Sequence, residues 1–258
     1  MPELPEVEAA ARYLHDAISG RTLRQVTWLH ASLQRGGTAA VEALVGTRVH
    51  RVHRVAKWQE IVFADGAVLV VHFRMTGDWS VTPSVEAPRH ARAHFTFSGG
   101  RHLWLVDPRA LARVEVRAPG VEARGRTGPD ALDPTLDAAT LRARLAGRRI
   151  SVKAALLDQS VIAGVGNIYA AESLWHARID PRTSAQQLSK ARVARILDGI
   201  RWCMGLALDQ IGRHQYGTAT DRFAVYDREG EPCSRCGAPI ARITQGQRST
   251  YWCRRCQR

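Results

Sequence analysis

No long apolar run occurs in this chain. Its longest, Ala67 to Val71, falls far short of the roughly 20 residues that a bilayer-spanning helix needs. The opening Met1-Pro2-Glu3-Leu4-Pro5-Glu6-Val7-Glu8 is acidic and has no apolar core segment, so no secretory leader is expected and the reading is cytoplasmic. Cysteine is scarce, at five in 258 residues. Four stand in two pairs near the C-terminus and Cys203 is alone in a helical pattern, which excludes a secreted disulfide scaffold. Internal repeats and low-complexity stretches are missing. Acids are outnumbered: 24 Asp and Glu face 37 Lys and Arg, a net charge of +13. That imbalance calls for a polyanionic partner, most simply nucleic acid. No basic amphipathic helix with an aromatic face stands out, so a membrane surface is the weaker reading.

What is present divides the chain in two. Val7, Ala10, Ala11, Leu14 and Ile18 recur at helical spacing and Gly20 follows as a stop. Short strand-like runs come next. Ile61 to Ala64 and Ala67 to Val71 flank Asp65-Gly66, and His94 to Phe97 and His102 to Val106 flank Ser98-Gly99-Gly100, giving two hairpin signals. The stretch from Arg117 to Thr135 is rich in Pro and Gly and reads as a linker. Beyond it the pattern is helical. Ser151 is placed to cap a short helix through Leu157, and Val193, Ile196, Leu197, Ile200, Met204, Leu208 and Ile211 form a long stripe. Cys203 and Met204 read as packing residues there.

The pairs Cys233-Ser-Arg-Cys236 and Cys253-Arg-Arg-Cys256 have the spacing of a four-cysteine zinc ribbon. Four thiolates leave no open position on the metal, so the expected zinc is structural. Arg228, Arg235, Arg242, Arg248, Arg254, Arg255 and Arg258 surround it, which suits a phosphate backbone. Further upstream, Gly164 and Gly166 break a helical pattern and Asn167 is placed to cap the next helix. Helix, glycine turn and helix present a helix N-terminus to a phosphate; the third glycine and preceding strand of a dinucleotide fingerprint are absent. At the other end, Pro2 has two readings. It is a helix start, with Pro in the first turn and acids near the positive dipole end. Once Met1 is removed it is also a secondary amine able to attack an electrophilic carbon, with Glu3 beside it to move protons.

Pro2-Glu3-Leu4-Pro5-Glu6, the glycine turn with Asn167-Ile168-Tyr169-Ala170, and the zinc pairs occur in the order seen in one family. The chain resembles the formamidopyrimidine-DNA glycosylase and endonuclease VIII family of base-excision repair enzymes. The resemblance implies an α+β protein: an N-terminal β-sandwich with a leading helix, a helix–two-turn–helix domain and a C-terminal zinc-ribbon hairpin. The corresponding boundaries are 1–117 for the catalytic sandwich, 118–134 for the linker, 135–222 for the helical domain and 223–258 for the zinc finger. DNA would lie between the two halves.

By the same resemblance, Pro2 attacks C1′ of the damaged nucleoside and Glu3 assists as acid and base. Lys57, matching a family lysine on a strand of the sandwich, contacts phosphate and moves protons during β-elimination. Arg248 grips the flanking phosphates and aids δ-elimination. DNA contact falls to His72, Met75, His90, Arg109, Arg149, Lys153 and Asn167, with Met75 filling the gap left by the flipped nucleotide and Arg109 facing the orphaned base. Glu6 and Glu172 organise the site. Cys233, Cys236, Cys253 and Cys256 hold one structural zinc, with no catalytic metal or organic cofactor. The partner is damaged DNA, as duplex, met by a monomer near the nucleoid and not by a membrane protein.

Two features depart from the formamidopyrimidine branch. Arg109 is followed by Ala110-Leu111 where that branch has Arg-Phe. Only about a dozen residues lie between Ile211 and Phe223, where that branch carries a long lesion-covering loop; this stretch and Tyr251-Trp252 look more like endonuclease VIII. The sequence therefore does not single out 8-oxoguanine. Formamidopyrimidines, oxidised pyrimidines, bulky adducts and abasic sites all fit. The competing readings are a non-catalytic DNA-binding zinc-ribbon protein on the same scaffold, or a lyase acting mainly on abasic sites.

Overall fold

The structure, a computed structural model, describes residues 2–34, 38–121, 127–211 and 223–258. They fall into two compact units, one holding the described residues up to 121 with Ile211, the other holding the remainder.

The first unit begins with helix α1 (Leu4–Ile18), whose Leu4, Val7, Ala11, Leu14 and Ile18 are buried at the expected helical spacing. Eight strands follow: β1 (Leu23–Trp28), β2 (Val49–Val55), β3 (Trp58–Phe63), β4 (Val68–His72), β5 (Asp78–Thr82), β6 (Ala91–Phe97), β7 (Arg101–Val106) and β8 (Arg113–Arg117). Short helices α2 (Ala31–Gln34) and α3 (Thr38–Glu42) lie between β1 and β2. The strands make two antiparallel four-stranded sheets, ordered β1-β6-β7-β5 and β2-β3-β4-β8.

Residues of both sheets share one core, as the sandwich reading requires: Phe95, Phe97, Leu103 and Leu105 from the first, Val52, Ile61, Phe63 and Val71 from the second. On β6, Ala93, Phe95 and Phe97 alternate inward, whereas β4 is buried throughout Val68–Val71. A polar bond crosses the core from Trp79 Nε1 on β5 to Gln59 Oε1 on β3 at 2.6 Å. Helix α1 packs on β2, β3 and β5, so its N-terminus is carried by the sandwich. Both expected hairpins form, as β3–β4 and β6–β7.

The second unit contains α4 (Ala138–Leu145), α5 (Val152–Leu157), α6 (Asn167–His176), α7 (Lys190–Gln210) and the hairpin of β9 (Ala241–Gln245) and β10 (Arg248–Trp252). Ser151 caps α5 as expected, its hydroxyl accepting from the Ala154 N–H. Cys203 and Met204 are buried on the α7 stripe. The cysteine hairpin packs on α6 through a core of Ala171, Trp175, Val225, Ile240 and Tyr251.

Two local expectations change. Gly166, not Asn167, is the N-cap of α6, and Asn167 is the first helical residue. The end of the expected linker is docked rather than free. Gly128 N–H donates to Gln159 O at 2.7 Å, and Ala131 and Ala163 form backbone bonds around Pro129. A Cβ at Gly128 would sit 2.7 Å from the Val161 carbonyl carbon, so this contact demands glycine.

Gly199 on α7 faces Ser173 on α6, and an added Cβ would lie 2.6 Å from the Ser173 carbonyl oxygen. Alanine is the better helix former by about 1 kcal/mol, but overpacking costs about 1–3 kcal/mol. Gly199→Ala is therefore expected to lower the thermal unfolding midpoint; a raised midpoint would show that α6 and α7 separate without penalty.

Candidate nucleic-acid interface and catalytic residues

In the first unit the expected residues gather at three places. The first is the start of α1. Pro2 is buried and Glu3 is only 1% exposed. Glu3 is the N-cap, and the Glu6 carboxylate accepts the Glu3 N–H at 3.0 Å to close a capping box. The two readings of this segment are thus compatible: a helix start is what fixes Pro2 and Glu3 in place.

The second place is the turn joining β2 and β3, where Lys57 lies. It is a turn residue, not a strand residue: Ala56 and Lys57 are the two residues between Val55 and Trp58, and Ala56 takes φ +54°. Arg54 secures this turn to α1, donating to Glu8 Oε2 at 2.8 Å and to Ala56 O at 2.9 Å. His72 ends β4 in the same neighbourhood. Its Nδ1 accepts the Arg74 N–H at 2.9 Å and its ring meets Trp58 edge-on. Burial, reinforced by the charges of Arg74, Lys57 and Arg113, drives the His72 pKa down to about 4. At neutral pH it is therefore an uncharged imidazole with Nδ1 accepting, which leaves Nε2 as the N–H donor. Three cations around a neutral donor suit an anionic ligand.

The third place is built on Asp107, which is 0% exposed. Its carboxylate accepts from the backbone of Arg109 at 3.2 Å, Leu111 at 2.6 Å and Ala112 at 2.7 Å, and from the Thr76 hydroxyl. Met75 sits in the turn beside Thr76, after Arg74 at φ +58°. His90 takes φ +66° and its carbonyl accepts the Asp107 N–H at 3.0 Å. Met75, His90 and Arg109 are thus brought together. Arg109 is exposed and Leu111 is 42% exposed, an apolar side chain placed outside the core.

The second unit collects Asn167, Lys153 and the strand that Arg248 begins. Lys153 is 0% exposed, and its ammonium donates to Asn167 Oδ1 at 2.6 Å, Thr250 Oγ1 at 2.7 Å and Ser249 O at 2.9 Å. Lys153, expected among the DNA contacts, is thus wholly inside the protein, where its three oxygen acceptors tie it to Asn167 and β10. Asn167 Nδ2 also donates to Ser249 O at 3.1 Å, so the first residue of α6 is tied directly to the residue after Arg248, which is exposed. Gln159 shapes the glycine turn, donating to Leu157 O and Val165 O and accepting from the Gly164 N–H at 3.0 Å. Arg149 is exposed on the loop leading into α5.

Glu172 is buried on α6 and accepts three backbone N–H bonds, from Ala224 at 2.8 Å and from Val225 and Tyr226 at 2.9 Å each. Burial pushes its carboxyl pKa up, against the opposing pull of those donors. It organises the approach to the cysteine hairpin. The segment after Ile211 that was expected to face the lesion and to resemble endonuclease VIII lies, from 212 to 222, outside the described residues.

The four cysteine sulfurs lie within 4.8 Å of one another, with Cys236–Cys253 at 3.5 Å and Cys233–Cys256 at 4.0 Å. Tetrahedral zinc with Zn–S bonds of about 2.3 Å separates sulfurs by about 3.8 Å, so the set fits. Arg235, inside the first knuckle, stacks on Trp175 at 3.6 Å and donates to Trp175 O at 2.5 Å and His176 O at 3.3 Å. It thereby joins the metal site to the C-terminal end of α6, where a cation is favoured.

Asp107, Arg54, Gln159 and Ser249 were not expected as parts of these sites, and Arg235, expected among the arginines suited to phosphate, is engaged with Trp175 and His176. The Asp-Pro dipeptide marks a turn, but the donors that converge on Asp107 come from two separate loops, which no local pattern reveals.

A leading helix on a two-sheet sandwich, a helix–turn–helix pair presenting Asn167, and a four-cysteine finger define a DNA glycosylase of the base-excision type. Models of the formamidopyrimidine-DNA glycosylase N-terminal domain, of its H2TH domain and of a zinc finger found in FPG and IleRS match residues 1–114, 127–216 and 230–258. The formamidopyrimidine-DNA glycosylase of Roseiflexus sp. is 39% identical over 277 residues, with both chains covered fully. The Lactococcus lactis enzyme, solved non-covalently bound to abasic-site DNA, superposes with a TM-score of 0.88 at 27% identity over the whole of both chains. The Thermus thermophilus protein does so with a TM-score of 0.86 at 33% identity, over 99% of this chain and 98% of its own. The chain belongs to the formamidopyrimidine-DNA glycosylase family. It is a DNA glycosylase with abasic-site lyase activity, it binds DNA, and its finger carries one structural zinc. Among the described residues no helix is long and apolar enough to cross a membrane.

Three outcomes follow from this geometry. Chelating the zinc is expected to unfold the cysteine hairpin and abolish DNA binding, read by circular dichroism and gel shift. Glu172→Gln places an amide N–H₂ against backbone donors and should cost about 1–3 kcal/mol in urea unfolding. His72 has a folded pKa below its ordinary 6.5, so the unfolded chain binds its proton first as pH falls. Its contribution to stability is present above about pH 6.5 and is lost between there and about 4. His72→Gln should flatten that segment of the stability profile.

Proposed function

We propose that the Pro2 amine is the nucleophile of a bifunctional reaction on duplex DNA. The amine attacks C1′ of the damaged nucleoside as Glu3 protonates the opening sugar, and the base departs. The resulting iminium acidifies the C2′ proton. Its removal expels the 3′ phosphate, and a second elimination expels the 5′ phosphate. The observation that carries this reading is the start of α1, where Glu3 is fully buried beside Pro2 and held by Glu6.

The other roles follow from placement. Lys57, Arg74 and Arg113 with neutral His72 form a phosphate-binding group, and Lys57 assists proton transfer in elimination. Asn167, at a helix N-terminus, and Arg248 contact the phosphates near the lesion. Met75, Arg109 and Leu111 occupy the space vacated by the flipped nucleotide, with His90 and Arg149 contacting the backbone. Leu111 stacks less than an aromatic side chain, which relaxes selection of the partner base. The protein acts as a cytoplasmic monomer at the nucleoid, consistent with its net charge of +13.

Borohydride added during reaction with abasic-site DNA is expected to trap a covalent adduct, observed by denaturing gel and mass. Retention of Met1 acylates Pro2 and should eliminate the adduct; trapping that survives a blocked terminus would reassign the nucleophile. Arg248→Ala should weaken DNA binding uniformly across sequences and reduce the slope of log K against log salt by about 1.

A further inference from the structure

We infer that Asp107 latches the Met75 turn to the loop carrying Arg109 and Leu111, so that the two insert into DNA as one body. The inference rests on the proposed role of those residues as fillers of the vacated space, and it adds a positioning residue to it.

The two segments are remote in sequence. The first leaves β4 at His72 and returns at β5; the second joins β7 to β8. One oxygen of Asp107 takes the Thr76 hydroxyl and the Arg109 N–H, and the other takes the N–H groups of Leu111 and Ala112. Arg109 N–H also reaches Thr76 Oγ1 at 3.4 Å. Arg92 holds the base of the second loop, donating to Asp107 O at 2.7 Å and Pro108 O at 3.1 Å. Each segment is also stiff on its own side. Gly77 lies so close to Phe73 that a Cβ would sit 2.8 Å from its carbonyl oxygen, and Ala110 takes φ +53°.

A carboxylate inside the protein with these donors is costly to disrupt, because any one lost bond leaves a buried acceptor under-satisfied. Moving either segment alone breaks the bonds that Thr76 makes with Asp107 and Arg109. Joint motion keeps both. Thr76 is the one side-chain donor among them, so it is the place where the segments can be uncoupled without altering Asp107.

The test is a double-mutant cycle on Met75→Ala and Leu111→Ala. It is read as single-turnover cleavage of a duplex carrying one abasic site with 2-aminopurine opposite. In the parent protein each single variant should slow cleavage about 10-fold, and the double variant should slow it well under the roughly 100-fold that independent effects would give. In a Thr76→Val background the two effects should multiply, and the 2-aminopurine signal should rise in two phases in place of one. Thr76→Ser, which keeps the hydroxyl, should restore coupling; a merely structural role would change stability without moving the coupling. Multiplicative effects in the parent overturn the latch, and that measurement does not require Thr76→Val to fold. If neither single variant changes cleavage, the filling role itself fails, and the latch falls with it.

Discussion

The buried ammonium of Lys153 holds the start of α6 to the zinc hairpin. Removing a charge from water costs several kcal/mol, and that cost is offset only while the ammonium keeps its oxygen acceptors. Those acceptors come from Asn167 at the start of α6 and from Ser249 and Thr250 on β10. A shift of either element would leave the charge under-solvated. The charge therefore penalises any separation between the glycine turn and the zinc hairpin, the two places where Asn167 and Arg248 are presented.

Asp107 and Glu172 apply the same physics with the opposite sign. Each is a buried carboxylate that collects backbone N–H donors from a loop, and each thereby fixes a segment that regular secondary structure does not hold. Asp107 orders residues 109–112 and the Thr76 turn; Glu172 orders 224–226. Exposed side chains such as Leu111 are in this way mounted on stiff supports, and a loop that is already ordered loses less entropy when it meets a ligand. At the start of α1 the capping bond between Glu3 and Glu6 has that effect on the proposed nucleophile.

Much of the fold was legible in local pattern. The α1 stripe, the two glycine-marked hairpins, the Ser151 cap and the α7 stripe each express a periodicity or a turn preference confined to a few residues. The zinc ligands were legible for the same reason, since two short C-x2-C knuckles are local motifs. The family followed from motifs in order. Where sequence reading erred, longer-range contacts were at work. Asn167 gave up the cap position because its amide is engaged with Lys153 and Ser249. Residues 128–131 resembled a linker in composition but dock on the segment around Gln159 and Ala163. Lys57 moved from strand to turn because the β2–β3 register ends at Val55 and Trp58.

The sequence by itself determined the chemistry available: a proline beside an acid, four thiolates at metal spacing, and a large cationic excess. These are properties of residue type and short spacing, and they survive without knowledge of the fold. Only the tertiary structure decided which charges face solvent and which are internal. Lys153 and Arg248 are both cations in basic surroundings, yet one is fully buried and the other exposed. Burial is set by packing among residues distant in sequence, and it is burial that turns one cation into a brace and leaves the other in solvent.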